Sequence, residues 1–154
     1  MKRILLTGLS GVGKSTVIGE LAARGYKAID TDYDGISHHA PNGEWIWNEE
    51  RIQSLLSTED ADILFFCGCS SNQGKFYSQL DHVILFSAPI PVITERLRTR
   101  TNPYGKTPEE LAKILDDIRI YEPRIRYGAS DEIDTGVPLD QVVAEVLRIA
   151  GLAA

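Results

Sequence analysis

A chain of 154 residues, 43% hydrophobic and 25% charged, is large enough to close a core, and none of its apolar runs approaches the roughly 20 residues of a membrane helix. Its formal charge of −6 argues against a broad nucleic-acid footprint, so a phosphate ligand must be met by a local positive site and not by the overall field. The opening Met1–Thr7 is too short, and too soon broken by Gly8, for a signal peptide, so a cytoplasmic protein is expected, as a monomer or homodimer.

In chain order, residues 3–7 read as a first strand, and a glycine-rich loop follows. Residues 15–24 read as a helix closed by Gly25, and 26–30 as a second strand. The stretch 31–48, with His38, His39, Pro41, Asn42 and Gly43, reads as a loop or irregular excursion. Residues 49–56 are helical, with Ile52, Leu55 and Leu56 on one face. Residues 63–67 form a strand without polar alternation, and 83–87 another. Cys67 and Cys69, with one residue between them, have poor spacing for a zinc site and read as reduced thiols at a strand end. A helix over 91–100 is followed by a loop, 101–108, rich in Asn, Pro and Gly. The next helix starts near Thr107 and runs to about Tyr121, where Pro123 ends or kinks it. A short strand, 132–134, and a helix, 138–149, complete the chain. Strand-length runs alternating with helical segments predict one α/β domain with a parallel sheet.

Gly8-Leu9-Ser10-Gly11-Val12-Gly13-Lys14-Ser15 fits G-x-x-x-x-G-K-[ST] at every fixed position, between a strand and a helix. The glycines let backbone N–H groups of Ser10, Gly11, Val12 and Gly13 turn toward one point. The following helix adds its N-terminal amides at Lys14, Ser15 and Thr16. Such a cradle holds the phosphates of ATP, with Lys14 reaching the β- and γ-phosphates and Ser15 coordinating Mg²⁺.

Asp30 and Asp32 close the second strand. In an open parallel sheet ligands sit beyond the carboxyl ends of the strands, so both lie on the edge of the phosphate loop. Spacing of two on an extended segment points them the same way. Asp30 is the candidate to share the metal, and Asp32 to position an acceptor hydroxyl. Solvated turn carboxylates are the plain alternative. The strand 63–67 has no aspartate at its far end, and Asp62 is on the wrong edge. Asp32-x-x-Gly35 imitates a GTPase switch but follows the wrong strand, and no Asn-Lys-x-Asp occurs to read guanine.

Arg96 and Arg100 are four apart on one helix face, with Lys106 in the loop beyond. All three are candidates to stabilise phosphate charge, Arg100 catalytically, or are solvated cations. The segment from Gly68 to Lys75 either contacts ligand or is a plain strand-to-helix turn. Trp45 and Trp47 either stack on an acceptor ring or sugar or anchor their loop to the core.

On these residues the chain resembles the small P-loop kinases of the adenylate, shikimate and gluconate kinase type over nearly its whole length. The resemblance rests on Gly8–Ser15, on Asp30-x-Asp32, on the segment Cys69–Lys75 and on the arginine-bearing approach Glu95–Arg100 to a lid over 101–108. It implies a three-layer sandwich around a five-stranded parallel sheet in the order 2-3-1-4-5. It also implies a turn at Gly136–Pro138 against adenine, and transfer of the γ-phosphate of ATP to a small-molecule hydroxyl or a nucleotide. The excursion over 31–57 is a candidate acceptor site on its own residues, and its part 38–47 matches no acceptor site of that family. The acceptor-binding arginine of shikimate kinases has no match here; Tyr121-Glu122-Pro123 stands in its place. An accessory ATPase or nucleotide switch without a small acceptor is the alternative, and a degenerate binding module a third.

Overall fold

The computed structural model describes residues 1–152. In chain order its elements are β1 (Lys2–Thr7), α1 (Lys14–Ala23), β2 (Lys27–Asp30), β3 (Ser37–His39), β4 (Trp45–Trp47), α2 (Glu49–Ser57) and β5 (Ile63–Cys67). A 3₁₀ segment (Gln73–Gln79), β6 (His82–Ser87), α3 (Ile90–Thr99), α4 (Pro108–Gly128), β7 (Asp131–Asp134) and α5 (Leu139–Ile149) follow. The main sheet is parallel throughout, in the order β2-β5-β1-β6-β7. Leaving out β3 and β4, which pair only with each other, that order is 2-3-1-4-5, as the resemblance implies.

The period of two along the central strands makes the layers. Ile4, Leu6, Phe65, Cys67, Ile84 and Phe86 face one way, into a core completed by α1, α3, α4 and α5. Leu5, Leu64, Phe66 and Val83 face the other way, against Trp47, Ile52, Leu56 and Phe76. A strand buried on both faces needs no polar alternation, which is why Ile63–Cys67 is apolar at every position. Each fully buried side chain of this size contributes about 1.5–3 kcal/mol.

The helix starts follow from local chemistry. Asn48 caps α2 by accepting from Arg51 N at 3.2 Å, and Thr107 caps α4 by accepting from Glu110 N at 3.1 Å. In contrast, α4 does not end near Tyr121 but runs through Pro123 to Gly128. Pro123 removes one hydrogen bond, to the Arg119 carbonyl, yet both residues are on the exposed face of the helix, where water can take that carbonyl.

The expected loop over 31–48 contains an antiparallel hairpin. His38 pairs with Ile46, His39 with Trp45 and Ser37 with Trp47. Its turn is closed by Gly43 N to Ala40 O at 2.8 Å and Ala40 N to Glu44 O at 2.7 Å, with Gly43 at φ 85°. Trp47 anchors the hairpin: it is 1% exposed, and its indole N–H donates to the buried Thr31 hydroxyl at 2.9 Å. Gly68 gives this pair its room. A Cβ there would stand 2.2 Å from Thr31 Oγ1 and 3.0 Å from Trp47 Nε1. Gly68→Ala should therefore destabilise the fold by about 1–3 kcal/mol, read as a lower urea midpoint at unchanged slope. An unchanged midpoint would show that the hairpin seat is loose.

Candidate active site

The phosphate loop is shaped by where its carbonyls go. Gly8 sits at φ 149°, and a Cβ there would lie 2.6 Å from Phe86 O; at Gly11, φ 86°, it would lie 2.8 Å from Ile93 Cγ2. Lys14 Nζ donates to Gly8 O and, at 3.0 Å, to Leu9 O. Arg96 Nη1 donates to Gly11 O at 3.1 Å. Thr135 Oγ1 donates to Val12 O at 2.7 Å. With the carbonyls drawn backward, the amides of the loop and of the first turn of α1 face outward, where helix N–H groups have no intrahelical partner. That cradle fits a phosphate chain, and an added methyl at Gly8 or Gly11 would spoil it.

In front of it lies a cavity of about 510 Å³. Gly11 through Val17 line one wall, Arg96, Arg100, Thr101 and Asn102 a second, and Thr135, Val137, Leu139 and Val142 a third, with Tyr33 at the rim. The third wall is mainly apolar, and Val137 and Leu139 are 42% and 39% exposed. Burial lowers the pKa of both arginines, with Asp134 opposing the shift at Arg96 and Tyr104 at Arg100. Guanidinium groups stay charged regardless.

The candidate metal pair meets: Ser15 Oγ donates to Asp30 Oδ2 at 2.7 Å. A hydroxyl and a carboxylate are hard oxygen donors, the set that Mg²⁺ takes while keeping most of its waters. Among the described residues no group of three or more His, Cys, Asp or Glu could hold a metal ion. The Cys67 thiol is buried next to this edge, and burial, with the charge of Asp30, pushes its pKa far up. It is an inert free thiol, as Cys69 is an exposed one.

Asp32 departs from the expected geometry. The strand stops at Asp30, whose Oδ1 accepts Asp32 N at 3.0 Å and folds the chain into a turn. The period of two does not extend through it, and Asp32 points to the hairpin, where Oδ1 accepts the Trp45 indole N–H at 3.0 Å.

Arg96 and Arg100 line the cavity, but Arg96 is also a tie: besides Gly11 O it donates to Thr135 Oγ1 at 3.1 Å and to Thr135 O. Arg100 Nη2 donates to Tyr104 O at 2.6 Å, and its buried Nε has no partner. Lys106 lies outside the cavity, in a separate shallow hollow with Thr94, Arg98 and Leu111. The loop doubles back so that Gly105 packs on Leu97 and Ile114, and Lys106 is carried past the phosphate side. Pro138 caps α5 and does not line the cavity; its neighbours Val137 and Leu139 do. Gly8 and Ser10 are absent from the cavity lining; Gly8 is buried and Ser10 only half-buried.

The family pattern described as an AAA domain matches residues 4–116. The chain belongs to the AAA-domain family. No curated protein matches the sequence at a level that marks a relative. Among solved structures it is similar to shikimate kinase from Acinetobacter baumannii in complex with shikimate, at 20% identity and TM-score 0.71, covering 97% of this chain and 93% of that one. It is similar to shikimate kinase from Bacteroides thetaiotaomicron at 17% identity and TM-score 0.70, covering 98% and 99%. It is similar to a gluconokinase from Sinorhizobium meliloti 1021 at 22% identity and TM-score 0.61, covering 99% and 93%. This AAA-domain protein thus has the fold of the small P-loop kinases, as the sequence resemblance implied. No helix among the described residues is long and apolar enough to cross a membrane.

Thr135, Tyr33, Leu139 and Val142 enter the site without a motif to announce them, whereas Val137 belongs to the turn at 136–138 that the resemblance set against adenine. Thr135 is the most consequential, since its hydroxyl is buried between the loop and Arg96. Thr135→Val should weaken ATP binding several-fold in calorimetry and cost about 1–3 kcal/mol of stability, because Val12 O loses its donor. Unchanged affinity would mean that the loop holds its shape without this tie.

Proposed function

We propose that the protein is an ATP-dependent phosphotransferase that moves the γ-phosphate to a hydroxyl of a small molecule or nucleotide. The observation that carries the reading is the 2.7 Å contact between Ser15 and Asp30 beside the outward-facing amides of the loop. Two hard oxygen donors of the kind Mg²⁺ takes thus meet at the end of the loop, which supports the reading. The solved kinases of the same fold, one described with shikimate bound, support the same reaction class.

In this reading the loop amides and Lys14 hold the phosphates, the ammonium keeping the Gly8 and Leu9 carbonyls and donating its third N–H to a phosphate oxygen. Ser15 and Asp30 hold Mg²⁺, which when bound supplies charge neutralisation at those oxygens. The apolar wall of Val137, Leu139 and Val142 takes the base. Arg100 stabilises charge on the transferring group, its unpartnered Nε free to donate as the lid 101–108 closes and excludes water. Asp32 positions the acceptor hydroxyl and receives its proton at Oδ2, which has no hydrogen-bond partner among the described residues.

Two variants test these roles. Lys14→Ala should lower turnover by about 10²–10³ while the circular dichroism spectrum stays that of the folded protein. Asp32→Asn should lower kcat by about 10² or more and leave ATP affinity near that of the parent, read by steady-state rates and titration calorimetry. The reverse pattern at Asp32 would move it from acceptor to nucleotide. ATP consumption is measured with and without nucleosides, nucleotides, sugars and hydroxy acids. Full-rate hydrolysis that ignores every acceptor would replace this reading with the accessory ATPase.

A further inference from the structure

Trp45 and Trp47 lie two apart on β4 and so share one face of the hairpin, opposite His39 and Ser37 on β3. They have different surroundings. Trp47 is sunk in the core, while Trp45 keeps 41% of its surface exposed. Trp45 is nevertheless held on two sides. Its N–H is fixed on Asp32 Oδ1 at 3.0 Å, and the His39 ring meets it edge-on with centroids 4.9 Å apart. His39 is held in turn, with Nδ1 3.1 Å from Gly43 O. An unbroken chain of contacts runs from the phosphate loop to this ring: Ser15 to Asp30, Asp30 to the Asp32 amide, Asp32 to Trp45.

We infer that the corner formed by Trp45, His39 and Asp32 is the acceptor subsite, and that its acceptor is an uncharged polyhydroxylated ring, a neutral sugar or cyclitol. The inference rests on the phosphotransfer reading and narrows it. A rigid, half-exposed indole is a preorganised platform for such a ring. The ring's C–H bonds carry slight positive charge and settle on the negative face of the aromatic system. The carboxylate at the platform's edge accepts hydroxyl protons and fixes orientation. Among the described residues no cation pairs with Asp32 or lies over the Trp45 ring, which favours a neutral ring over an acid. Asp32 and Asp34 form no ion pair among the described residues, and Lys75 is engaged by Glu49 at 3.0 Å. Arg51, beside Gly35, is the one nearby cation whose side chain has no hydrogen-bond partner among the described residues. An acid or a nucleoside monophosphate would need it; a neutral ring would not.

Trp45 and Trp47 are the protein's two tryptophans, and only Trp45 is open to ligand, so emission reports on this corner. The full-length protein, with Mg²⁺ and a non-hydrolysable ATP analogue, is titrated with neutral pyranoses and inositols, with aldonic and hydroxy acids, and with nucleoside monophosphates. At least one neutral polyol should change the emission saturably and also be phosphorylated. For that polyol Trp45→Ala should raise KM about ten-fold. Trp45→Phe, which keeps a ring but loses the N–H on Asp32, should hold KM within about three-fold and lower kcat. Arg51→Ala should leave KM unchanged. Heat from the ATP analogue with no response to any neutral polyol overturns the inference alone. So does saturation by an acid or nucleotide whose KM rises in Arg51→Ala, or an unchanged KM in Trp45→Ala. No heat from the ATP analogue removes the phosphotransfer reading and this inference with it.

Discussion

A loop can offer its amides to an anion only if its carbonyls are satisfied elsewhere, and here three side chains meet that condition. Lys14 takes the carbonyls of Gly8 and Leu9, Arg96 takes that of Gly11, and Thr135 takes that of Val12. Two of the three come from far along the chain, 85 and 123 residues from their partners. The phosphate cradle is therefore a product of the whole sheet. It requires α3 to cross behind the loop, and β7 to deliver its turn beside β6, where Thr135 N bonds Ser87 O at 2.7 Å. The double duty of Arg96 follows. It lines the cavity, yet most of its donors are directed at the protein, so its observed work is to hold the wall of that cavity in place.

The same logic of held groups extends toward the hairpin. In isolation the segment from Gly68 to Lys75, which carries Asn72 and Gln73, reads either as a ligand contact or as a plain strand-to-helix turn. In the fold both are engaged. Asn72 Nδ2 donates to Trp47 O at 3.0 Å and to Glu49 at 3.1 Å. Gln73 is buried, accepting from Ser70 N at 2.8 Å and donating to Thr7 Oγ1 at 3.0 Å and to the Tyr77 hydroxyl at 2.6 Å. Buried polar groups need partners, and this network supplies them where β1, β5 and the 3₁₀ segment converge. Its effect is to seat Trp47, and with it the hairpin that carries Trp45.

What could be read from sequence divides along the range of the interactions. The phosphate loop was legible because its requirements are local: glycines for the turns, and a lysine and a serine at the start of a helix. The sheet order followed only from the family resemblance; the run Ile63–Cys67 by itself showed a strand buried on both faces. The hairpin was not legible, although Pro41-Asn42-Gly43 is turn chemistry, because strands of three residues give too few alternations to register a period of two. Asp32 was not placed, for a related reason: the strand ends at Asp30, and Asp30 Oδ1 accepting Asp32 N turns the chain before the period of two can reach it. Thr135 carries no local signal at all, since a threonine after a short strand acquires its role only when Val12 and Arg96 arrive beside it. Lys106 shows the opposite error, a cation near the site in sequence that the packing of Gly105 turns away from the cavity.

These ties also set limits on motion. The carbonyls behind the loop are held by buried or half-buried groups, so the cradle has little freedom to rearrange. The proposed lid, 101–108, has fewer holds: Tyr104 N on Asn102 at 3.0 Å, Gly105 N on Glu110 at 3.1 Å, and Arg100 on Tyr104 O. Apart from Gly105, seated on Leu97 and Ile114, that stretch is exposed. Opening it would break a few hydrogen bonds that water can replace, each contributing about 0.5–1.5 kcal/mol net, whereas disturbing the cradle would strand buried carbonyls at about 1–3 kcal/mol each. Movement is therefore cheaper on the lid side. For the proposed reaction, a fixed cradle facing a looser rim would put the two demands of phosphoryl transfer, exact placement of charge and exclusion of water, on different parts of one cavity.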